Sequence, residues 1–152
     1  MFEKEREYMK GFTDSFTGKL LIGISAGTII YASMILGADF FMNNFTGQTI
    51  HTQERLEQVI NTEAKKLGLS SPEIAGVLLS SGSEASYSMY SDGDIGIILA
   101  GRKANVPNLR KILYEIKAGI GIRENIQYSD LLLIPNAIFY GITGKLLRKE
   151  DF

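Results

Sequence analysis

Any chemistry in this chain must proceed without thiols and with a single imidazole. Cysteine is absent and His51 is the one histidine. That excludes a disulfide framework, thiolate catalysis, a thiolate zinc site and any metal centre built on two imidazoles of one chain. Serines are plentiful, notably Ser80, Ser81 and Ser83, but no G-x-S-x-G elbow is present, and a histidine-based triad would have to use His51. His51 stands just before a helical pattern and reads as an ordinary loop or interface residue. Gly93, Gly96 and Gly101 form neither a phosphate-binding G-x-G-x-x-G nor a P-loop. The carboxylates Glu63, Glu73, Glu84, Asp92, Asp94, Glu115, Glu124 and Asp130 are scattered. Asp92 and Asp94 flank a turn glycine, where Asp is favoured for local hydrogen bonding. Arg102, Lys103, Arg110 and Lys111 make a small basic patch that reads as a solvated face. These residues predict no catalytic constellation, no metal and no cofactor.

The elements that must position these residues follow from periodicity. Thr52 to Leu67 has Leu56, Val59, Ile60 and Leu67 at helical spacing, with Thr52 as cap and Gly68 as stop. Ile74 to Ser80 is a short apolar run bounded by breakers, hence a strand. Ala85, Tyr87 and Met89 alternate with serines, as in a half-exposed strand, and Asp92-Gly93 supplies a hairpin turn before a strand at Asp94 to Ala100. A helix starts near Pro107, carries Leu109, Ile112, Leu113 and Ile116 on one face, and ends by Gly119. Leu131 to Gly144 is 14 uncharged residues interrupted by Pro135-Asn136, too short for an ordinary span and read as a core or interfacial helix. The alternative is a crossing from Leu131 to Leu147 with Lys145 snorkelling. The predicted class is α+β, helix–three strands–helix, with helices covering the sheet and an apolar C-terminal helix.

The stretch Leu109 to Gly119, LRKILYEIKAG, preceded by a helix, a strand, an edge strand and a strand after a Gly-containing turn, resembles the zincin metallopeptidase core. The likeness is to minimal gluzincins and membrane-bound zinc peptidases of the heat-shock type. The family's second helix carries H-E-x-x-H, two zinc-binding histidines and a general-base glutamate. One register sets Lys111 and Glu115 at the histidine positions and Ile112 at the glutamate; it suits Leu113, Tyr114, Ile116, Lys117 and Gly119 best. The other sets Tyr114 and Ala118 at the histidines and keeps Glu115 as the glutamate. The zinc ligands are missing in both. The resemblance covers residues 50–120 and implies a peptidase-like scaffold without its metal, a pseudoenzyme. Without any family, Lys111 and Glu115 are simply an i, i+4 ion pair on a helix face.

The 152 residues carry 16 Lys plus Arg against 17 Asp plus Glu, a formal charge of −1 that speaks against nonspecific nucleic-acid binding. Composition shifts sharply near the start. A charged segment, 1–19, precedes 19 consecutive uncharged residues from Leu20 to Ala38, with Phe40, Phe41 and Met42 extending the run past Asp39. This is unlike a typical signal peptide and matches a hydrocarbon core of about 30 Å, so 20–42 is expected to be a transmembrane helix. Gly23 and Gly27 form a GxxxG, and Ser33 and Gly37 repeat the small-xxx-small spacing, as at close helix contacts in lipid. Lys4, Arg6, Lys10 and Lys19 precede the run, and only Arg55 follows closely. The charge bias puts the N-terminus in the cytoplasm and the domain outside, whereas related membrane zinc peptidases often keep theirs inside.

The expected organisation is a charged segment 1–19, a transmembrane helix 20–42, a zincin-like α+β domain 48–130, and an apolar helix with a charged tail, 131–152. The expected function is peptide or protein binding by a membrane-anchored, metal-free domain. Ala85, Tyr87, Met89 and Tyr90 would form a peptide-binding edge strand. The rival is a structural subunit of a membrane complex, or a homo-oligomer, assembled through residues 20–38. Lipid is a partner in both.

Overall fold

The computed structural model describes residues 16–44, 47–70, 73–120 and 128–147. They form helix α1 (Phe16–Asn44), helix α2 (Gln53–Lys66), strands β1 (Ile74–Leu79), β2 (Ala85–Met89) and β3 (Ile95–Ala100), helix α3 (Val106–Ala118) and helix α4 (Tyr128–Thr143). Most of the charged segment 1–19 and the tail from 148 lie outside the described residues. The chain divides into two compact units, Met1–Gly37 and Ala38–Phe152. The expected apolar span of 20–42 is therefore split, its last turn belonging to the larger unit.

α1 begins in the smaller unit and ends in the larger one. From Lys19 to Asn44 the helix has 26 residues and is long and apolar enough to cross a membrane; at 1.5 Å per residue that is about 39 Å. Ile24, Ile29, Ile30 and Leu36 are exposed along it. Thr28 donates its hydroxyl to the Ile24 carbonyl at 2.9 Å, which satisfies the polar side chain within the helix.

The larger unit is α+β, as the periodicities require. Thr52 caps α2 by accepting from the Arg55 amide at 3.2 Å. Gly68 follows with φ +66°, a conformation that side chains resist. Asn105 caps α3 by accepting from the Asn108 amide at 2.9 Å, and Gly119 closes it in the left-handed region at φ +72°. The sheet order is β1-β3-β2. β1 runs parallel to β3 from Ile74↔Ile95 to Leu79↔Ala100, and β2 runs antiparallel to β3 from Ala85↔Leu99 to Met89↔Ile95.

Among the described residues, helices cover one sheet face. Ile95, Ile97 and Leu99 point into the core with Leu56, Ile60, Leu109 and Leu113. The opposite face carries Val77 and Leu79 at 50% and 41% exposure, and no described helix lies over it. The expectation that helices cover the sheet holds for half of it.

α4 completes the core by packing on α3. Ala137 and Tyr140 are buried, whereas Leu132 on the outer side is 76% exposed. Pro135 lies inside this helix and does not end it, so the run read as a core or interfacial helix is helical on both sides of the proline. A proline costs a helix interior about 3 kcal/mol, and burial of the next turn against α3 offsets it. The packing is close: a Cβ on Gly141 would lie 2.8 Å from the Pro107 carbonyl oxygen. Met42, at the end of α1, is also buried, and Asn43 Oδ1 accepts from Asn108 Nδ2 at 2.8 Å. The run past Asp39 thus reaches the domain.

Candidate functional site

Two features of the larger unit have the geometry of a site, and only one of them lies where sequence reasoning put it. The first is β2. It occupies one edge of the sheet. The Ala100 amide donates to the Glu84 carbonyl and the Tyr90 amide to the Asp94 carbonyl, both at 2.8 Å. Because hydrogen-bonded pairs alternate along an antiparallel ladder, the backbone groups of Ser86 and Ser88 face β3, and those of Ala85, Tyr87 and Met89 face outward. No described strand pairs with them. The strand ends at Met89, so Tyr90 is not part of it. Tyr90 belongs to the turn, and its ring lies over Gly96, where a Cβ would come within 3.1 Å.

The other edge is different. Gln53, the first residue of α2, donates Nε2 to the Gly76 carbonyl at 2.7 Å, and its Oε1 accepts from the Leu78 amide at 3.1 Å. One side-chain amide thus occupies the β1 edge as a neighbouring strand would, a common way of blunting an exposed edge. Sequence reasoning missed Gln53, because an exposed glutamine at a helix start carries no signal of it.

Tyr87 turns inward and donates its hydroxyl to the Ile120 carbonyl just past α3. Burial, with the Glu115 charge as a lesser cause, pushes this phenol up to about 12. Lys111 and Glu115, the positions of the degenerate metal motif, pair with each other at 2.7 Å, with side-chain exposures of 28% and 12%. They are not on an open solvated face: a Cβ on Gly141 of α4 would come within 3.2 Å of the Lys111 Cβ. Ile112 is buried in the core. In the alternative register Tyr114 is buried too, its ring 5.8 Å from that of Tyr140, and Ala118 packs at the margin. Neither register forms a ligand set, and among the described residues no three His, Asp or Glu side chains are grouped to hold a metal.

The second feature is a charged cluster under α4. Glu63 is buried, its side chain only 4% exposed. Its Oε1 accepts from Lys66 Nζ at 2.9 Å and from Arg110 Nη2 at 3.1 Å, and its Oε2 accepts from the Tyr140 hydroxyl at 3.0 Å. Burial by itself would raise this carboxyl. The hydrogen bonds from Lys66 and Arg110, the Arg110 charge and the Tyr140 hydroxyl outweigh it and hold the group below its ordinary value. Tyr140 is raised in turn, by burial and by the adjacent carboxylate. Arg110 therefore leaves the solvated patch expected for it, whereas Arg102 is exposed. A signal for Glu63 existed: it interrupts the apolar stripe of Leu56, Val59, Ile60 and Leu67. Nothing local pointed to Arg110 or Tyr140 as its partners.

Glu63 and Arg110 also line a groove of about 500 Å³, together with Gly47, Gln48, Arg55 and Gln58. The remaining expected positions are simpler. His51 is exposed in its loop. Asp92 Oδ1 accepts from the Asp94 amide at 3.2 Å, a local turn bond. Gly23, Gly27, Ser33 and Gly37 are exposed on α1, and a Cβ on any of the three glycines would meet nothing within 4 Å. No known family model matches the chain, and neither a curated protein nor a solved structure matches it.

Proposed function

We propose that this protein is a membrane-anchored binding protein whose α+β domain captures an extended polypeptide along the outer edge of β2. The observation that carries the reading is the contrast between the two sheet edges. β1 is closed by the Gln53 amide, while Ala85, Tyr87 and Met89 turn their backbone groups away from β3. A strand added there gains main-chain hydrogen bonds, and the half-exposed Met89 and the Tyr90 ring supply contact surface.

In this reading α1 tethers the domain to a bilayer. The cations Lys4, Arg6, Lys10 and Lys19 keep the N-terminus in the cytoplasm and the domain outside. Kinship with the zincins is part of the proposal. It is supported by the order helix–three strands–helix and by an antiparallel edge strand whose Tyr87 feels the Glu115 charge. The domain would then act without metal or chemistry, as a pseudoenzyme that kept the substrate-strand edge.

The test uses proline at two neighbouring positions. Met89→Pro removes an outward amide and spares the ladder, whereas Ser88→Pro removes an amide bonded to β3. The full chain in detergent is mixed with a fluorescein-labelled extended peptide. Capture should be lost in Met89→Pro with its circular dichroism unchanged, and Ser88→Pro should unfold. Undiminished capture by a folded Met89→Pro would remove the reading.

A second reading, an assembly subunit joined through α1, is favoured by Gly23 and Gly27 standing open on the helix surface. Leucine at both positions should then dissociate the detergent-solubilised complex.

A further inference from the structure

The groove beside Glu63 has a composition that strand capture does not use. It is formed by one face of α2 (Arg55, Gln58, Val59, Thr62, Glu63), by Val106 and Arg110 of α3, and by the loop that follows α1. The lining carries two guanidinium groups and one carboxylate. That carboxylate is already matched twice, by Arg110 and by Lys66, which stands outside the groove. Glu63 therefore fixes Arg110 in place without cancelling the remaining positive charge. Arg110 lines the groove and keeps 17% of its side-chain surface exposed there. The volume of about 500 Å³ lies in the range of small-molecule sites and is too large for a bare ion.

Position adds to charge. The lining begins at Gly47, three residues after α1 ends, and the end of α1 is tied to α3 by the Asn43–Asn108 bond, within one turn of Arg110. The groove thus lies within the larger unit, next to the segment that leads on from α1.

We infer that this groove binds the phosphate of a small phosphate ester, free or as a lipid head group. Arg55 and Arg110 are its cationic partners, and the Gln48 and Gln58 amides contact the esterified part. Planar, forked guanidinium groups suit a phosphate better than ammonium does. The site shares no residue with the β2 edge, so it stands or falls independently of peptide capture.

The test is thermal unfolding of the full chain in uncharged detergent. Glycerol 3-phosphate is compared with glycerol and with sodium chloride at matched ionic strength, in wild type and Arg55→Gln. Because Arg55 is exposed, the substitution should leave the melting temperature of the unliganded protein unchanged. Glycerol 3-phosphate should raise the wild-type melting temperature by a few degrees, and Arg55→Gln should remove that rise. A second arm places both proteins in nanodiscs of phosphatidylcholine with or without phosphatidylglycerol. An Arg55-dependent rise with the soluble ester identifies a free phosphate compound, and one seen only with the anionic lipid identifies a head group. A rise matched by sodium chloride, or the absence of an Arg55-dependent rise in both arms, overturns the inference.

Discussion

Tyr140 and Glu63, 77 positions apart in the chain, are joined by a hydrogen bond of 3.0 Å from the phenol to the buried carboxylate. This contact ties α4 to α2 across α3, whose Arg110 holds the other carboxylate oxygen. The C-terminal apolar helix is thereby locked to the domain by a polar bond as well as by packing. A helix held only by apolar surface could exchange core for lipid at little cost; one that donates a hydrogen bond to a buried carboxylate cannot leave without breaking that bond.

Glu63 should make the domain sensitive to acid. Its carboxyl is held below the ordinary 4.5 in the folded state. The stability it contributes is therefore complete above pH 4.5 and is lost as pH falls through the depressed folded value. Glu63→Gln should cost about 3 kcal/mol at neutral pH, the low end for a broken buried pair because Lys66 is half exposed. Denaturant melts from pH 7 to pH 3 check both: the variant should start lower and fall less steeply.

Tyr87 should give the opposite limb. Its phenol rises from 10 to about 12 on folding, so the stability it contributes is present below pH 10 and lost as pH rises from there to 12. Tyr87→Phe loses the bond to the Ile120 carbonyl, about 1 kcal/mol at neutral pH. The same substitution should remove this residue's share of the alkaline loss. Absorbance titration of the tyrosinates, followed with chemical denaturation, reads the difference.

Gln53 keeps the β1 edge from pairing. Gln53→Ala should reopen the Gly76 carbonyl and Leu78 amide while costing only about 1 kcal/mol of stability. The marked effect should be self-association, read by sedimentation of the detergent-solubilised protein. A monodisperse Gln53→Ala would show that this edge needs no guard.

Gly76 leaves no room for a side chain. A Cβ there would lie 2.4 Å from Ile60 Cδ1 and 3.0 Å from Leu56 Cδ2. Gly76→Ala should displace the Ile60 and Leu56 side chains and cost about 2 kcal/mol by overpacking. Gly93, whose added Cβ would meet nothing, still has φ +94°, so Gly93→Ala should strain the turn without touching the core. Thermal unfolding of the pair separates overpacking from backbone strain.

Sidedness is open to a direct reading because the chain has no cysteine. A cysteine introduced at the exposed Ser81 should react with a membrane-impermeant maleimide on intact cells if the domain is outside. Labelling only after permeabilisation would place the domain in the cytoplasm and reverse the orientation proposed here.

What the sequence determined by itself was everything set by neighbours along the chain. Leu56, Val59 and Ile60 recur at helical spacing, Thr52 has a side chain that reaches its own helix amide, and Gly93 sits in a tight hairpin turn. Each is decided within a few residues, so α2, β1, β2, β3 and α3 were legible almost to their ends, as was the apolar length of α1. Tertiary structure alone decided how the other edge of the sheet, along β1, is closed. That depends on β1 lying parallel to β3 with β2 beyond it, and on a glutamine 23 positions before Gly76 reaching the remaining edge. It decided that Pro135 sits within a helix, because packing on α3 outweighs local propensity. It also decided where the charges go. Glu63 is a carboxylate in an apolar stripe, but a buried charge is tolerable only where opposite charge and hydrogen-bond donors converge on it. Those donors come from α3 and α4, elements whose distance from Glu63 in the chain says nothing of their distance in space.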